Sequence, residues 1–161
     1  MEPAAGEDSG AQPRRPGSRK AVLDMEALDI LIVQQWTKTL RGPYDWGDWP
    51  LARYTLGADV LRVAEAQPGP SVRCASSTVD QLAWACAMVA CGRAPRLRSL
   101  DPKPLLGAQD GQQLVRADGA CGWRCNLLRD TAEGPQLHYW IHPSGLVEFQ
   151  KVSDCEELCP A

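Results

Sequence analysis

The chain has 161 residues, a length that fits one domain. It is 44% hydrophobic and carries a net charge of −3, with 17 basic against 20 acidic side chains. A free-standing nucleic-acid binder carries a basic excess, so any RNA contact is expected to be indirect, through another subunit. No apolar run approaches the ~18 residues that a membrane-crossing helix requires.

Residues 1–22 form an N-terminal tail of Pro, Gly, Ser, Ala and charge, with no bulky apolar residue before Val22 except Met1. Such a composition cannot bury a core and is expected to stay unfolded. The pairs Arg14-Arg15 and Arg19-Lys20 read either as a nuclear address or as a solvated tail. The first residues hold neither a basic nor an apolar leader segment, which argues against secretion. The seven cysteines, an odd number without dense spacing, read as reduced thiols in the nucleus or cytoplasm.

The folded domain is expected over 23–152. Asp24 is placed to cap a helix over 25–41, in which Leu28, Leu31, Ile32, Trp36 and Leu40 recur at helical spacing. Gly42-Pro43 ends it, and 43–50 read as a Trp-rich turn. Next, 59–66 and 71–75 are expected to form a hairpin around the turn signal Gln67-Pro68-Gly69-Pro70. Thr78 and Gln81 make a capping box for a second helix over 78–91, with Leu82, Ala85, Cys86 and Val89 on one face. Residues 93–121 read as a long irregular connection or insertion, ending in a short strand at 112–116. From there the period is two. Strands are expected at 122–129, 136–142 and 146–152, joined by turns at Asp118-Gly119, Thr131–Pro135 and Pro143-Ser144-Gly145. Residues 153–161 form an acidic tail. Two main helices followed by a strand meander define an α+β domain with a small mixed or antiparallel sheet. The last strand is its natural edge unless something covers it.

In the strand 136–142, Leu137, Tyr139 and Ile141 point one way, as core residues. His138, Trp140 and His142 point the other, toward solvent or a partner. The two histidines lie about 13 Å apart on this strand, too far to share a metal. Asp118-Gly119-Ala120-Cys121-Gly122-Trp123-Arg124 resembles the Asp-Gly-x-Cys-x-x-Arg signature of the ovarian-tumour deubiquitinases and papain-like proteases. That resemblance implies Cys121 as nucleophile with His138 or His142 as base, but such chemistry needs Cys121 to open a helix, and 123–129 reads as a strand. Cys121, Cys125, Cys155 and Cys159 also invite a four-thiolate zinc site. Their Cys-x3-Cys spacing departs from the usual Cys-x2-Cys knuckle, and buried reduced thiols are the plainer reading. No phosphate loop or cofactor motif is present, and no cofactor or metal is expected.

The segment from Leu127 to Val147, with its Tyr139-Trp140 and Ser144-Gly145-Leu146-Val147, resembles the final hairpin of the smallest, non-catalytic subunit of the eukaryotic tRNA-splicing endonuclease. The order of helix, Trp-bearing turn, hairpin and capped helix upstream fits as well, while 93–121 would be an insertion and Ser144 stands where that family has Asp. The resemblance implies the endonuclease C-terminal-domain fold and no catalytic residue, because the Tyr-His-Lys triad of the catalytic subunits has no counterpart: no histidine precedes His138. It implies a heterodimer, with a catalytic subunit paired through the C-terminal strands and a contact face of His138, Tyr139, Trp140, His142, Leu146, Val147 and Phe149. The alternatives are the Cys121 hydrolase and a generic protein-interaction adaptor.

Overall fold

The computed structural model describes residues 24–40, 43–61, 75–127 and 134–153. The expected N-terminal tail, the turn at 67–70, the strand at 71–74, the end of the 122–129 strand, most of the 131–135 turn and the acidic tail with Cys155 and Cys159 lie outside them.

Helix α1 spans Met25–Thr39. The Asp24 carboxylate accepts a hydrogen bond from the Ala27 amide at 2.8 Å, which satisfies one of the donors a helix start leaves open. Leu28 and Ile32 are completely buried. The stretch expected as a turn is a short helix, α2, at Pro43–Asp48. Proline's fixed φ suits the first helical position, where its missing N–H costs nothing. The Trp36 indole donates to the Trp49 carbonyl at 3.0 Å and its ring lies 5.9 Å from that of Trp46, so α2 is tied back onto α1.

Helix α3 covers Ala75–Ala90. It starts earlier than the capping-box reading allows, so Thr78 lies inside the helix and Ala75 is helical rather than extended. From Leu82 to Ala90 every residue except Trp84 is buried. A helix apolar on nearly all sides belongs in the core, and α3 packs against both α1 and the sheet. Its closing turn puts Gly92 at φ +74, a conformation that glycine tolerates best. A single 3-10 turn follows at Ala94–Arg96.

Five strands form one mixed sheet: β1 (Tyr54–Asp59), β2 (Lys103–Pro104), β3 (Cys121–Asn126), β4 (Gln136–Ile141) and β5 (Val147–Ser153), in the order β1-β5-β4-β3-β2. The β2–β3–β4–β5 pairs are antiparallel and β1 runs parallel to β5. Three expectations are corrected. The first strand begins at 54, not 59, and pairs with β5; residues 62–66 and 71–74 of the expected hairpin lie outside the described residues. Residues 112–116 make only isolated bridges, Leu106 with Gln113 and Val115 with Cys121. Most consequentially, the last strand is no edge, because β1 covers it. These long-range pairings carry no local signature; the β1–β5 contact joins residues more than 90 positions apart.

The sheet has two unlike faces. Leu137, Tyr139, Val147, Phe149, Val152 and Cys125 lie on the helix side and form the core with α1 and α3. Each such apolar side chain stabilises the fold by about 1.5–3 kcal/mol through burial. The α+β class of the sequence reading holds.

Candidate interaction face of the sheet

The opposite face carries the polar and aromatic residues. Register places Gly122 beside Trp140 and Trp140 beside Glu148, then Arg124 beside His138 and His138 beside Lys151, then Asn126 beside Gln136 and Gln136 beside Ser153. A bulge at His138/Tyr139 interrupts the β4–β5 register, and Gln150, at the bulge, reaches Trp140. The indole N–H of Trp140 donates to Gln150 Oε1 at 3.1 Å. The ring lies against Gly122, where a Cβ would come within 3.1 Å of it and 3.2 Å of Leu105. Glycine here makes room for the tryptophan.

A charged frame stands beside this ring. The Arg116 guanidinium lies 5.4 Å from the Trp140 centroid. It donates to Glu148 Oε2 and to Asp118 Oδ2, both at 2.8 Å. His142 sits between the same two carboxylates, Nε2 at 3.4 Å from Glu148 and Nδ1 at 3.7 Å from Asp118. The Arg116 hydrogen bond holds Glu148 below the usual carboxylate range and raises the arginine further. Asp118 is lowered first by the Ala120 amide and then by the charges of Arg116 and His142. Two ionised carboxylates bridged by one arginine fix each other's geometry, so the ring and its frame present a preformed, amphipathic surface. Tryptophan and arginine in such a setting are the side chains most enriched at protein–protein contacts.

The seven expected contact residues divide. Trp140, His142 and Leu146 are half-buried on or beside this surface. Tyr139, Val147 and Phe149 are 2%, 4% and 0% exposed and belong to the core; for Tyr139 the strand parity already set it apart from Trp140. His138 shares the outer parity but is only 4% exposed, so its expected solvent or partner role is corrected. Its Nε2 lies 2.9 Å from Ser153 Oγ, and burial, then Lys151 and Arg124, push its pKa down to about 4. Arg124, Gln136 and Asn126 complete a polar network around this corner, Arg124 donating to Gln136 Oε1 at 3.2 Å and Gln136 to Asn126 Oδ1 at 3.3 Å.

Cys121 opens a strand, not a helix. It pairs with Ile141 and therefore projects to the helix side, whereas His138, and His142 through its contact with Glu148, lie on the outer side. Its Sγ meets the Gly119 carbonyl at 3.9 Å. The fold does not bring the expected nucleophile and base together. Cys121 and Cys125 are four residues apart on one strand, about 13 Å, so they cannot grip one ion. Burial pushes the Cys125 thiol up to about 12. Among the described residues no three metal-ligating side chains converge, and no helix is long and apolar enough to cross a membrane.

Sequence reasoning missed Arg116, Glu148 and Gln150. The outward parity of Glu148 between Val147 and Phe149 was readable; its partnership with Arg116, 32 residues away, was not. No family model, curated protein or solved structure matches the chain.

Proposed function

We propose that the chain is a non-catalytic assembly subunit that seats a protein partner on the outer face of its sheet, most concretely a catalytic subunit of a tRNA-splicing endonuclease acting on intron-containing precursor tRNA. The observation that carries the reading is the one-sided helix layer: α1 and α3 pack on the same face, while the other presents Trp140 in its frame of Arg116, Asp118, His142 and Glu148. The partner is named on the sequence resemblance of residues 127–147 alone. Pairing through an exposed edge of β5 is ruled out, since β1 occupies that edge. At the opposite side of the sheet β2 ends in Pro104, which lacks an N–H to donate to an added strand. Contact is proposed through side chains of the face, because strand addition at β5 is blocked by β1.

The test is affinity purification of the tagged full chain followed by mass spectrometry. Endonuclease subunits are expected with the wild type and are lost with Trp140→Ala and with Arg116→Glu, while circular dichroism stays native. Undiminished capture by both folded variants, or recovery of ubiquitin-pathway proteins alone, overturns the reading.

A further inference from the structure

A second charged-aromatic cluster lies where α1, α2 and the end of α3 meet. Trp49 follows α2 and its carbonyl is held by the Trp36 indole at 3.0 Å. The neighbouring segment is pinned to α3 by the Ala52 amide, which donates to the Ala90 carbonyl at 3.1 Å. The 3-10 turn then places two arginines at this indole. The Arg96 guanidinium lies 4.5 Å from the Trp49 centroid and that of Arg93 lies 5.7 Å from it. The tight turn, closed by the Arg96 amide on the Arg93 carbonyl at 2.9 Å, explains the pairing, because side chains three apart in a 3-10 turn eclipse one another.

Two like charges at one ring repel, and each normally recruits a carboxylate. Among the described residues neither guanidinium ion-pairs or hydrogen-bonds with a side chain, and Arg93 Nε is enclosed without an acceptor. The thiol of Cys91, beside Arg93, is no counter-ion: burial raises it and Sγ donates to the Met88 carbonyl at 3.6 Å. Arg53 and Arg98 are exposed on the segments that flank the pair. A planar guanidinium held by stacking keeps its forked donors free for an oxyanion.

We propose that Trp49, Arg93 and Arg96 form a phosphate-binding site, able to take a phosphate of a nucleic-acid backbone or a free phosphate such as pyrophosphate. The site does not rest on the assembly reading, and its test uses the isolated full chain.

The first arm follows the side-chain N–H resonances of Arg93, Arg96 and Trp49 while pyrophosphate is added. The second measures fluorescence anisotropy of a labelled single-stranded RNA at low and at physiological salt, with poly-glutamate as competitor. Movement of those three resonances, with affinity falling more than about tenfold in Arg96→Glu and part of it restored in Arg96→Lys, is the expected result. RNA binding that weakens with salt assigns the nucleic-acid source; a pyrophosphate response without RNA binding assigns the free ligand. Should Arg96→Glu unfold, Arg96→Gln with Trp49→Phe takes its place. Unmoved resonances, binding indifferent to these substitutions, or displacement by poly-glutamate as effective as by unlabelled RNA overturns the proposal, the last in favour of an acidic peptide.

Discussion

His138 shows how a single side chain can serve the fold rather than a surface. It is one of two histidines in the chain, sits opposite Arg124 and Lys151, and is enclosed with its Nε2 against Ser153. Burial disfavours a charged imidazole there, and the neighbouring charges of Lys151 and Arg124 add to the effect, so its pKa falls to about 4. The sign follows directly. Between the ordinary value of about 6.5 and 4, the unfolded chain binds a proton that the folded chain refuses, so stability declines as pH drops through that window and His138 adds nothing to the slope above it. The decline amounts to at most about 3 kcal/mol. Urea midpoints measured from pH 7 to pH 4 are expected to fall in the wild type and to fall less steeply in His138→Gln. Parallel slopes would show that the imidazole is protonated in the folded state. The sequence displayed the outward parity of His138, but parity says which way a side chain points and not what covers it.

At the scale of the element, the β1–β5 pairing decides most of what differs from the sequence reading. Gly57 lies where the β1–β5 register is irregular. A Cβ there would lie 2.9 Å from the carbonyl oxygens of both Phe149 and Gln150, and backbone atoms cannot yield as a flexible side chain does. Gly57→Ala is therefore expected to destabilise by about 1–3 kcal/mol, read as a lower denaturant midpoint. An unchanged midpoint would mean that β1 does not hold this register. The same element explains why the last strand, an edge by sequence order, lies inside the sheet. Helix α3 offers the reverse case: its buried face was legible from Leu82, Ala85, Cys86 and Val89, whereas its start was misplaced because Thr78 and Gln81 carry a capping signature within the helix.

For the whole molecule, the two sides of one sheet do different work, and paired substitutions separate them. Phe149 is fully buried, in edge contact with Tyr54 and 6.2 Å from Tyr139, so Phe149→Ala is expected to cost about 3–5 kcal/mol. Trp140, half-buried on the outer face, is expected to cost roughly 1–2 kcal/mol less when replaced by Ala. Equal losses by thermal or chemical unfolding would place Trp140 in the core and remove the interaction face. The sequence by itself determined the α+β class, helix α1 with its Asp24 cap, the period-two strands of the C-terminal half and the parity that sets Trp140 apart from Tyr139. These are local properties: capping, helical spacing and alternation act over a few residues, and tertiary contacts reinforced them. Only the tertiary structure decided that β1 closes over β5, that Arg116 bridges Asp118 to Glu148 beside Trp140, that Cys121 and the histidines face opposite ways, and that Arg93 and Arg96 share the Trp49 ring. Each of these depends on which distant segments the burial of one apolar face brings side by side, and no residue's own neighbourhood in the chain encodes that choice.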